Sequence, residues 1–190
     1  VRNLYLHKPR PMVIVLPKAR EAEKFMGDLE FFFGSSQPPT IYFPPYHILP
    51  FKYLSYHGQT AAKRIRGLFE MLEYSGFAPP VIVTTSGAIV QKVMPRSVMS
   101  RYGELVAEDE EIDPDGLIYK LNAGGYRRSM IVEEPGDYSV RGGIIDVFSP
   151  LYDNPLRIEL FGDTVDSLRF FSATNQRTLK RIADAVISPA

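Results

Sequence analysis

The sequence predicts an α/β protein with two domains: a parallel-sheet domain over residues 1–100 and a smaller α+β domain with antiparallel strands over residues 101–190. In the first half, short apolar runs rich in β-branched residues alternate with segments of helical periodicity, which is typical of an open parallel sheet. In the second half, strand-like segments follow one another directly. Residues 1–100 hold 12 Lys and Arg against 6 Asp and Glu, and residues 101–190 hold 10 against 16, so the net charge changes from +6 to −6. This asymmetry favours two domains.

The first domain is predicted to contain three strands separated by two helices. Met12–Leu16 is a short apolar run ended by a proline, which suits a buried parallel strand. Apolar residues then recur at helical spacing over residues 18–34, and Thr40–Phe43 is a second short strand. Thr60 is the predicted N-cap of a second helix, and Val81–Thr85 is the third strand. This order predicts a parallel sheet with helices on its faces.

The second domain is predicted to begin with a short helix and to continue as an antiparallel meander. Asp113 and Pro114 are expected at the N-cap and first position of the helix, and Gly124 at its end. Four strand-like segments follow, the last two joined by a tight turn; they are Met130–Glu133, Ser139–Phe148, Leu156–Phe161 and Thr164–Phe171.

Three further segments complete the predicted second domain. The pair Gly142–Gly143 leads into a strand and not into a helix N-terminus, so we interpret it as a bend within a strand. Asn175–Asp184 is expected to be helical. Ala185–Ala190 is expected to begin a strand that returns to the first domain.

Composition and motifs exclude several classes of function. The chain has no cysteine, which rules out a disulfide-built secreted module, a thiol nucleophile and cysteine-ligated zinc. His7, His47 and His57 lack the spacing of a metal site, and no apolar run approaches the roughly 20 residues that span a bilayer. Neither phosphate-loop motif, G-x-x-x-x-G-K-[ST] or G-x-G-x-x-G, occurs.

The remaining reactive side chains form no recognisable catalytic arrangement. Ser55 and His57 have no assignable acidic partner, and the acids of residues 108–111 are adjacent in sequence, which is more typical of a solvated loop than of an acid/base pair. The sequence therefore predicts no catalytic residue, no cofactor and no metal in these 190 residues. Because the chain opens without Met and without a signal peptide, we interpret it as a piece of a longer protein.

One predicted strand carries a candidate binding surface. In Leu156–Phe161, alternation places Leu156, Ile158 and Leu160 on one face and Arg157, Glu159 and Phe161 on the other, with Arg141 as a further member of the second face. Arginine and aromatic residues are enriched at protein interfaces. The alternative, left open by the pattern, is a cross-strand Arg–Glu pair with Phe161 under a loop.

The second half also resembles a known family in long stretches of sequence. The stretches are Gly125–Arg128, Val132–Phe148, Arg157–Asp163, Ser167–Phe171 and Gln176–Leu179, and upstream Ile48–Phe51, Tyr56–His57 and Arg64. Together they resemble the N-terminal, UvrB-like module of the bacterial transcription-repair coupling factors (Mfd). UvrB itself is the rival. The short path from Pro50 to Arg64 favours the coupling factor, because it leaves no room for the long aromatic hairpin that UvrB inserts in DNA.

The resemblance implies a fold for each domain and a partner for the second. Residues 1–100 would be an incomplete helicase-like (RecA-like) domain, similar to domain 1a of UvrB, without ATPase function. Residues 101–190 would bind UvrA. The implied contact residues are Arg141, Arg157, Glu159 and Phe161, with Arg128 as a further candidate. Ser139 and Pro135 stand where the UvrB pattern carries additional arginines, which implies fewer ionic contacts here.

The resulting hypothesis is a non-enzymatic module that recruits UvrA in transcription-coupled nucleotide excision repair in the bacterial cytoplasm. The resemblance places RNA polymerase binding, double-stranded DNA binding and an ATP-dependent translocase, with its helicase character, downstream of residue 190. It also implies that later domains cover Arg157 and Phe161 at rest. Two alternatives remain at this point: DNA binding by the basic half through Lys63, Arg64 and Arg66, and a nucleotide half-site completed by a preceding segment.

Overall fold

The computed structural model describes residues 1–46, 58–74 and 78–190 and shows a mixed α/β protein. The chain divides into two compact units, Val1–Val93 and Met94–Ala190. This division precedes the boundary expected at residue 100. The stretch 47–57, which includes His47, Ser55, His57 and the Ile48–Phe51 motif, lies outside the described residues.

The first unit is a three-stranded parallel sheet with helices. The strand order is β1-β3-β2, and both neighbouring pairs are parallel, which confirms the predicted strands and their direction. The elements are α1 (Arg2–His7), β1 (Met12–Leu16), α2 (Ala19–Phe33), a 3₁₀ turn (Gly34–Ser36), β2 (Thr40–Phe43), α3 (Gly58–Leu72), β3 (Val81–Thr85) and α4 (Ser86–Ile89). Thr60 lies within the first turn of α3 and not before it, so its predicted N-cap role is wrong.

Helices α2 and α3 of the first unit each bury an apolar face. Leu29 and Phe33 of α2 belong to the same core cluster as Val81 and Val83 of β3. Helix α3 packs on β2 at Gly67, where a Cβ atom would lie 3.1 Å from Ile41 Cγ2. A larger residue at this point would require the Ile41 side chain to shift by a few tenths of an ångström, so glycine favours the close approach of helix and strand.

The second unit contains two helices and eight strands among its described residues. They are α5 (Arg96–Tyr102), β4 (Glu104–Ala107), α6 (Pro114–Ala123), β5 (Arg127–Arg128), β6 (Asp137–Arg141), β7 (Ile144–Val147), β8 (Leu156–Phe161), β9 (Thr164–Phe171), β10 (Thr178–Arg181) and β11 (Asp184–Ile187). Helix α6 has Asp113 at its N-cap and Pro114 in its first turn, as predicted. Strands β8 and β9 have the predicted bounds, and the predicted turn at Gly162, with φ of 63°, joins them.

Six of these strands form one sheet in the order β10-β9-β8-β7-β6-β5. The pairs from β6 to β10 are antiparallel, whereas β5 runs parallel to β6. The predicted strand Ser139–Phe148 is in fact a hairpin of β6 and β7, because Gly142 adopts a φ of 60° and turns the chain. Residues Met130–Glu133, predicted as a strand, form a loop. The Glu133 and Glu134 N–H groups donate to Asp137 Oδ2, and these hydrogen bonds are incompatible with an extended strand.

The predicted helix over Asn175–Asp184 is also wrong. Gln176 has a φ of 61°, in the left-handed region that interrupts a right-handed helix. The segment instead supplies β10, which pairs with β9, and then enters β11. Residues 184–187, which the sequence predicted to lead towards the first domain, pair with β4 in the second unit, and Ala190 N–H donates to Gly124 O at 2.8 Å.

The main core of the second unit lies against one face of the six-stranded sheet. Helix α6 and the β4–β11 pair supply Val106, Leu117, Leu121, Ala185 and Ile187 to this core; the sheet supplies Tyr138, Ile145, Val147, Leu156, Ile158, Val165 and Leu168. We call this side of the sheet the core face. Within the described ranges, no helix has the length and apolar character needed to cross a membrane.

Candidate partner-binding site

The opposite side of the six-stranded sheet is lined mainly by charged and aromatic side chains. Strand alternation, set by the cross-strand register, places the following residues there: Asp137, Ser139, Arg141, Ile144, Asp146, Arg157, Glu159, Phe161, Ser167, Arg169 and Phe171. We call this side the polar face. The predicted alternation of β8 is confirmed, because Leu156 and Ile158 are in the core while Arg157 and Glu159 lie on the polar face.

Asp146 of β7 is bonded to two arginines on neighbouring strands. Its register partner Arg157 donates from Nε to Oδ1 at 2.6 Å and from Nη2 to Oδ2 at 2.8 Å. Arg141 of β6 donates from Nη2 to Oδ2 at 2.5 Å. These bonds raise the pKa of Arg157 above its ordinary value, with the hydrogen bonds to Asp146 as the main cause. Both guanidiniums therefore share one carboxylate.

Glu159 of β8 is bonded to Arg169 and Ser167 on the adjacent strand β9. Its Oε2 accepts from Arg169 Nη1 at 2.8 Å and from Ser167 Oγ at 2.7 Å, and Arg169 Nη2 donates to Oε1. Hydrogen bonds to Arg169 and then to Ser167 lower the pKa of Glu159 below its ordinary value. Among the described residues, Arg169 is thus the arginine that is hydrogen-bonded to Glu159.

The part of the polar face farther from the Gly142 and Gly162 turns is covered by a small apolar cluster. Phe171 is buried with Val132 and Phe148, and Ala173 packs on them. The Arg157 guanidinium carbon lies 4.4 Å from the centre of the Phe171 ring, at cation–π distance. The Arg157 side chain is consequently only 15% exposed.

The part of the polar face next to the Gly142 and Gly162 turns is exposed to solvent. Phe161 ends β8 immediately before the Gly162 turn and is 84% exposed. Arg141 lies beside the other turn, at Gly142, and its side chain is 50% exposed. An aromatic ring and a guanidinium that both project at the turn end of the sheet are the kinds of side chain that anchor protein interfaces.

The structure brings four of the five predicted site residues together. Arg141, Arg157, Glu159 and Phe161 share the polar face. Arg128 does not join them: it is in register with Tyr138, whose side chain is in the core, so it belongs to the other side of the sheet at the outer strand β5.

Three residues that organise the polar face were missed by sequence reasoning: Asp146, Arg169 and Phe171. Asp146 stands among apolar residues in Ile144–Val147, and an acidic residue within a buried strand is the signal that identifies it. The cross-strand Arg–Glu pair of the alternative interpretation is present as Arg169 and Glu159 of neighbouring strands. Its second part is wrong, because Phe161 is exposed and not covered by a loop.

Arg64, one of the three basic residues of the DNA-binding alternative, is buried in the first unit. Arg64 of α3 is only 2% exposed, its guanidinium stacks on the rings of Phe43 and Tyr46 at 4.2 and 4.5 Å, and Nη1 donates to Pro44 O at 2.7 Å. A buried guanidinium cannot reach a phosphate backbone. The DNA-binding alternative therefore loses its central residue.

Among residues 1–46, 58–74 and 78–190, no group of three or more His, Cys, Asp or Glu side chains is placed to hold a metal ion. Asp137, Asp146 and Glu159 of the polar face are each bonded to arginines. The arrangement of this face thus suits recognition of another protein by charge and by an aromatic anchor.

The sequence of this chain is similar to those of known proteins. Residues 105–190 match the family model of the UvrB interaction domain. Similar curated proteins include the transcription-repair-coupling factor of Myxococcus xanthus, 35% identical over 184 residues that are 95% of this chain and 15% of that protein. That of Bacillus subtilis is 39% identical over 111 residues, 58% of this chain and 9% of that protein. That of Staphylococcus aureus strain Mu50 is 29% identical over 191 residues, 100% of this chain and 16% of that protein.

The chain spans only 9% to 16% of the length of these relatives. The matched residues 105–190 include every strand of the six-stranded sheet and therefore the whole polar face. Residues 105–190 thus match the UvrB interaction domain, within a chain that is similar to the transcription-repair-coupling factors over nearly all of its length.

Proposed function

We propose that this chain is a protein–protein interaction module that recruits UvrA in transcription-coupled nucleotide excision repair, and that the polar face is its contact surface. The observation that carries the proposal is the exposed aromatic Phe161 beside an arginine pair, on the sheet face opposite the core of a UvrB interaction domain. The UvrB interaction domain and the similar transcription-repair-coupling factors supply the repair context.

Different residues of the polar face have different roles in this proposal. Phe161 would enter an apolar pocket of UvrA, and Arg141 would donate charge-assisted hydrogen bonds to a UvrA carboxylate. Arg157 contributes positive charge from a less exposed position. Glu159 supports the surface through Arg169 and does not contact the partner directly.

The proposal assigns no chemical step to these residues. Support comes from the pairing of Asp146 and Glu159 with arginines, which leaves neither carboxylate placed as an acid or base. We propose that the first unit is a helicase-like, RecA-like half-domain without ATPase function; its parallel β1-β3-β2 sheet is compatible with that fold. An ATP-driven DNA translocase and an RNA polymerase contact would belong to other parts of the whole bacterial protein, acting in the cytoplasm.

Two alternatives have less support. A piece of UvrB itself is disfavoured because the relatives described above are transcription-repair-coupling factors. DNA binding by the first unit is disfavoured because Arg64 is buried. We therefore expect no salt-dependent DNA shift with the 190-residue chain.

Calorimetric titration of UvrA into the chain tests the proposal. We expect binding by the parent and a loss of about 2–4 kcal/mol of binding free energy in an Arg141→Ala, Phe161→Ala variant, because one charged hydrogen bond and one aromatic anchor are removed. Tyr119→Ala is the matched control, since this exposed aromatic lies on α6, against the core face. A parent without affinity for UvrA contradicts the function; equal affinity of all three contradicts the surface.

A further inference from the structure

Asp146 is at the centre of the polar face yet is itself almost inaccessible. Its side chain is 1% exposed, so a partner cannot contact it. We infer that Asp146 is a positioning residue for partner binding: it holds Arg141 and Arg157 so that their remaining donors face a carboxylate of the partner. This inference rests on the proposed function.

The hydrogen bonds of Asp146 determine which edge of Arg157 remains available. Its Nε and Nη2 both donate to Asp146, so the guanidinium is bound along one edge. A guanidinium has five N–H donors in a fixed plane, and one edge is enough for one carboxylate. Arg157 Nη1 has no hydrogen-bond partner among the residues that the structure describes. A second carboxylate can therefore be bound without displacing Asp146.

Phe171 fixes the same guanidinium from a second direction. The ring is fully buried and lies 4.4 Å from the Arg157 guanidinium carbon. Contact with a ring face keeps the planar group from tilting, while Asp146 keeps it from rotating within its plane. Arg157 is thus oriented before any partner arrives.

The charge of this cluster specifies the chemistry of the partner group. Arg141 and Arg157 share the single carboxylate of Asp146, while Glu159 is bonded to Arg169 and also interacts electrostatically with Arg157, so that three guanidiniums face two carboxylates. The Asp146 cluster consequently carries one uncompensated positive charge next to the exposed Arg141 side chain. An acidic side chain of the partner is the complementary group.

Pre-orientation has a measurable consequence for affinity. Ordering a long side chain on binding costs free energy, and a side chain already ordered in the free protein avoids that cost. Replacing Asp146 by Asn weakens the hold on both arginines although neither arginine is changed. We expect UvrA affinity to fall by about tenfold.

A double-mutant cycle tests whether Asp146 acts through the arginines. UvrA is titrated into the parent, Asp146→Asn, the Arg141→Ala, Arg157→Ala variant, and the combination of all three changes. We expect Asp146→Asn to weaken binding in the parent and to have no further effect once both arginines are absent. An equal effect in both backgrounds, or no effect in the parent, overturns the inference. A parent that does not bind UvrA overturns the proposed function as well, and so the two failures are distinguishable.

Asp137→Asn is the matched control for loss of a buried carboxylate. Asp137 is also buried in a strand of the same sheet and accepts from Arg127 Nε and Nη2. Its arginine is Arg127 of β5, and within the described residues Arg141 and Arg157 are hydrogen-bonded to Asp146 and not to Asp137. We expect both variants to lose stability and only Asp146→Asn to lose UvrA affinity. Equal loss of affinity in both would reduce Asp146 to a general structural role.

A measurement on the unmodified chain keeps the inference testable if Asp146→Asn does not fold. Hydrogen exchange of arginine Nε–H groups is followed by NMR. We expect the Nε–H of Arg157, bonded to Asp146 at 2.6 Å, to exchange at least tenfold more slowly than that of the exposed Arg177. Equal exchange rates would show that Asp146 does not hold Arg157 in solution.

Discussion

The two faces of the six-stranded sheet are built from alternate residues of the same strands but are stabilised by different interactions. On the core face, Ile145, Ile158 and Leu168 are fully buried among apolar neighbours. On the polar face, Asp146 and Arg157 are buried almost as deeply, but against each other. Burial of apolar surface is strongly stabilising, whereas the desolvation of a buried ion pair offsets most of its attraction.

This difference implies a division of roles between the faces. The core face is expected to provide most of the stability of the second unit, and the proposed function assigns recognition to the polar face. Substitutions on the two faces should therefore separate the free energy of unfolding from the affinity for UvrA. The predictions below use that separation, beginning with the largest effect.

Ile158→Ala on the core face should cause the largest loss of stability. The side chain is fully buried, and its truncation leaves a cavity, so we expect the free energy of unfolding to fall by about 2–5 kcal/mol. Urea unfolding measures this loss. Leu105→Ala, at an exposed position of β4, should change it by less than about 0.5 kcal/mol. If both substitutions cost the same, the core face is not the main source of stability.

Replacing the central ion pair of the polar face by apolar residues should have the opposite profile. In an Asp146→Leu, Arg157→Met variant, we expect the free energy of unfolding to stay the same or to rise by about 1 kcal/mol, because two desolvated charges are removed together. The affinity for UvrA should fall more than about tenfold. Unfolding and calorimetric titration of one preparation give both values. A large loss of stability with intact affinity would reverse the roles of the two faces.

The Glu159–Arg169 pair should make a smaller contribution that depends on pH. The pKa of Glu159 is lowered in the folded state, so its stabilisation is fully present above the unfolded pKa, near about 4.3, and is lost as the pH falls through the folded value. Both side chains are partly exposed, which limits the effect to about 1 kcal/mol. Unfolding measured between about pH 6 and 3 should show a steeper acid loss in the parent than in Glu159→Gln. Parallel curves would contradict the assignment.

Local sequence patterns were sufficient for the elements whose partners are adjacent in the chain. Alternation and a two-residue turn predict β8 and β9 with their observed bounds, and apolar β-branched runs predict β1 and β3. The Asn175–Asp184 prediction failed because Leu179 and Ile182 are spaced as on a helix while pairing with β9 determines the conformation.

The placement of the candidate site residues on one face could be predicted, but the bonding among them could not. Alternation along β8 predicts that Arg157 and Phe161 share a face, and the register with β7 and β6 adds Arg141 to it. The sharing of Asp146 depends on the turn at Gly142, which sets β7 against β8 so that Asp146 is opposite Arg157. Arg128 was a further candidate implied by the family resemblance, and only the register of β5 with β6 shows that it lies on the other side of the sheet.

The central claim, that the polar face contacts UvrA, is tested most directly by site-specific photocrosslinking. A photoreactive phenylalanine derivative is placed at Phe161 and, in a separate protein, at Tyr119; both positions are exposed, so neither change should disturb folding. Mixing with UvrA and irradiation should give a covalent UvrA adduct from position 161 and none from position 119. An adduct from position 119 alone, or none from position 161 while binding persists, would contradict the claim.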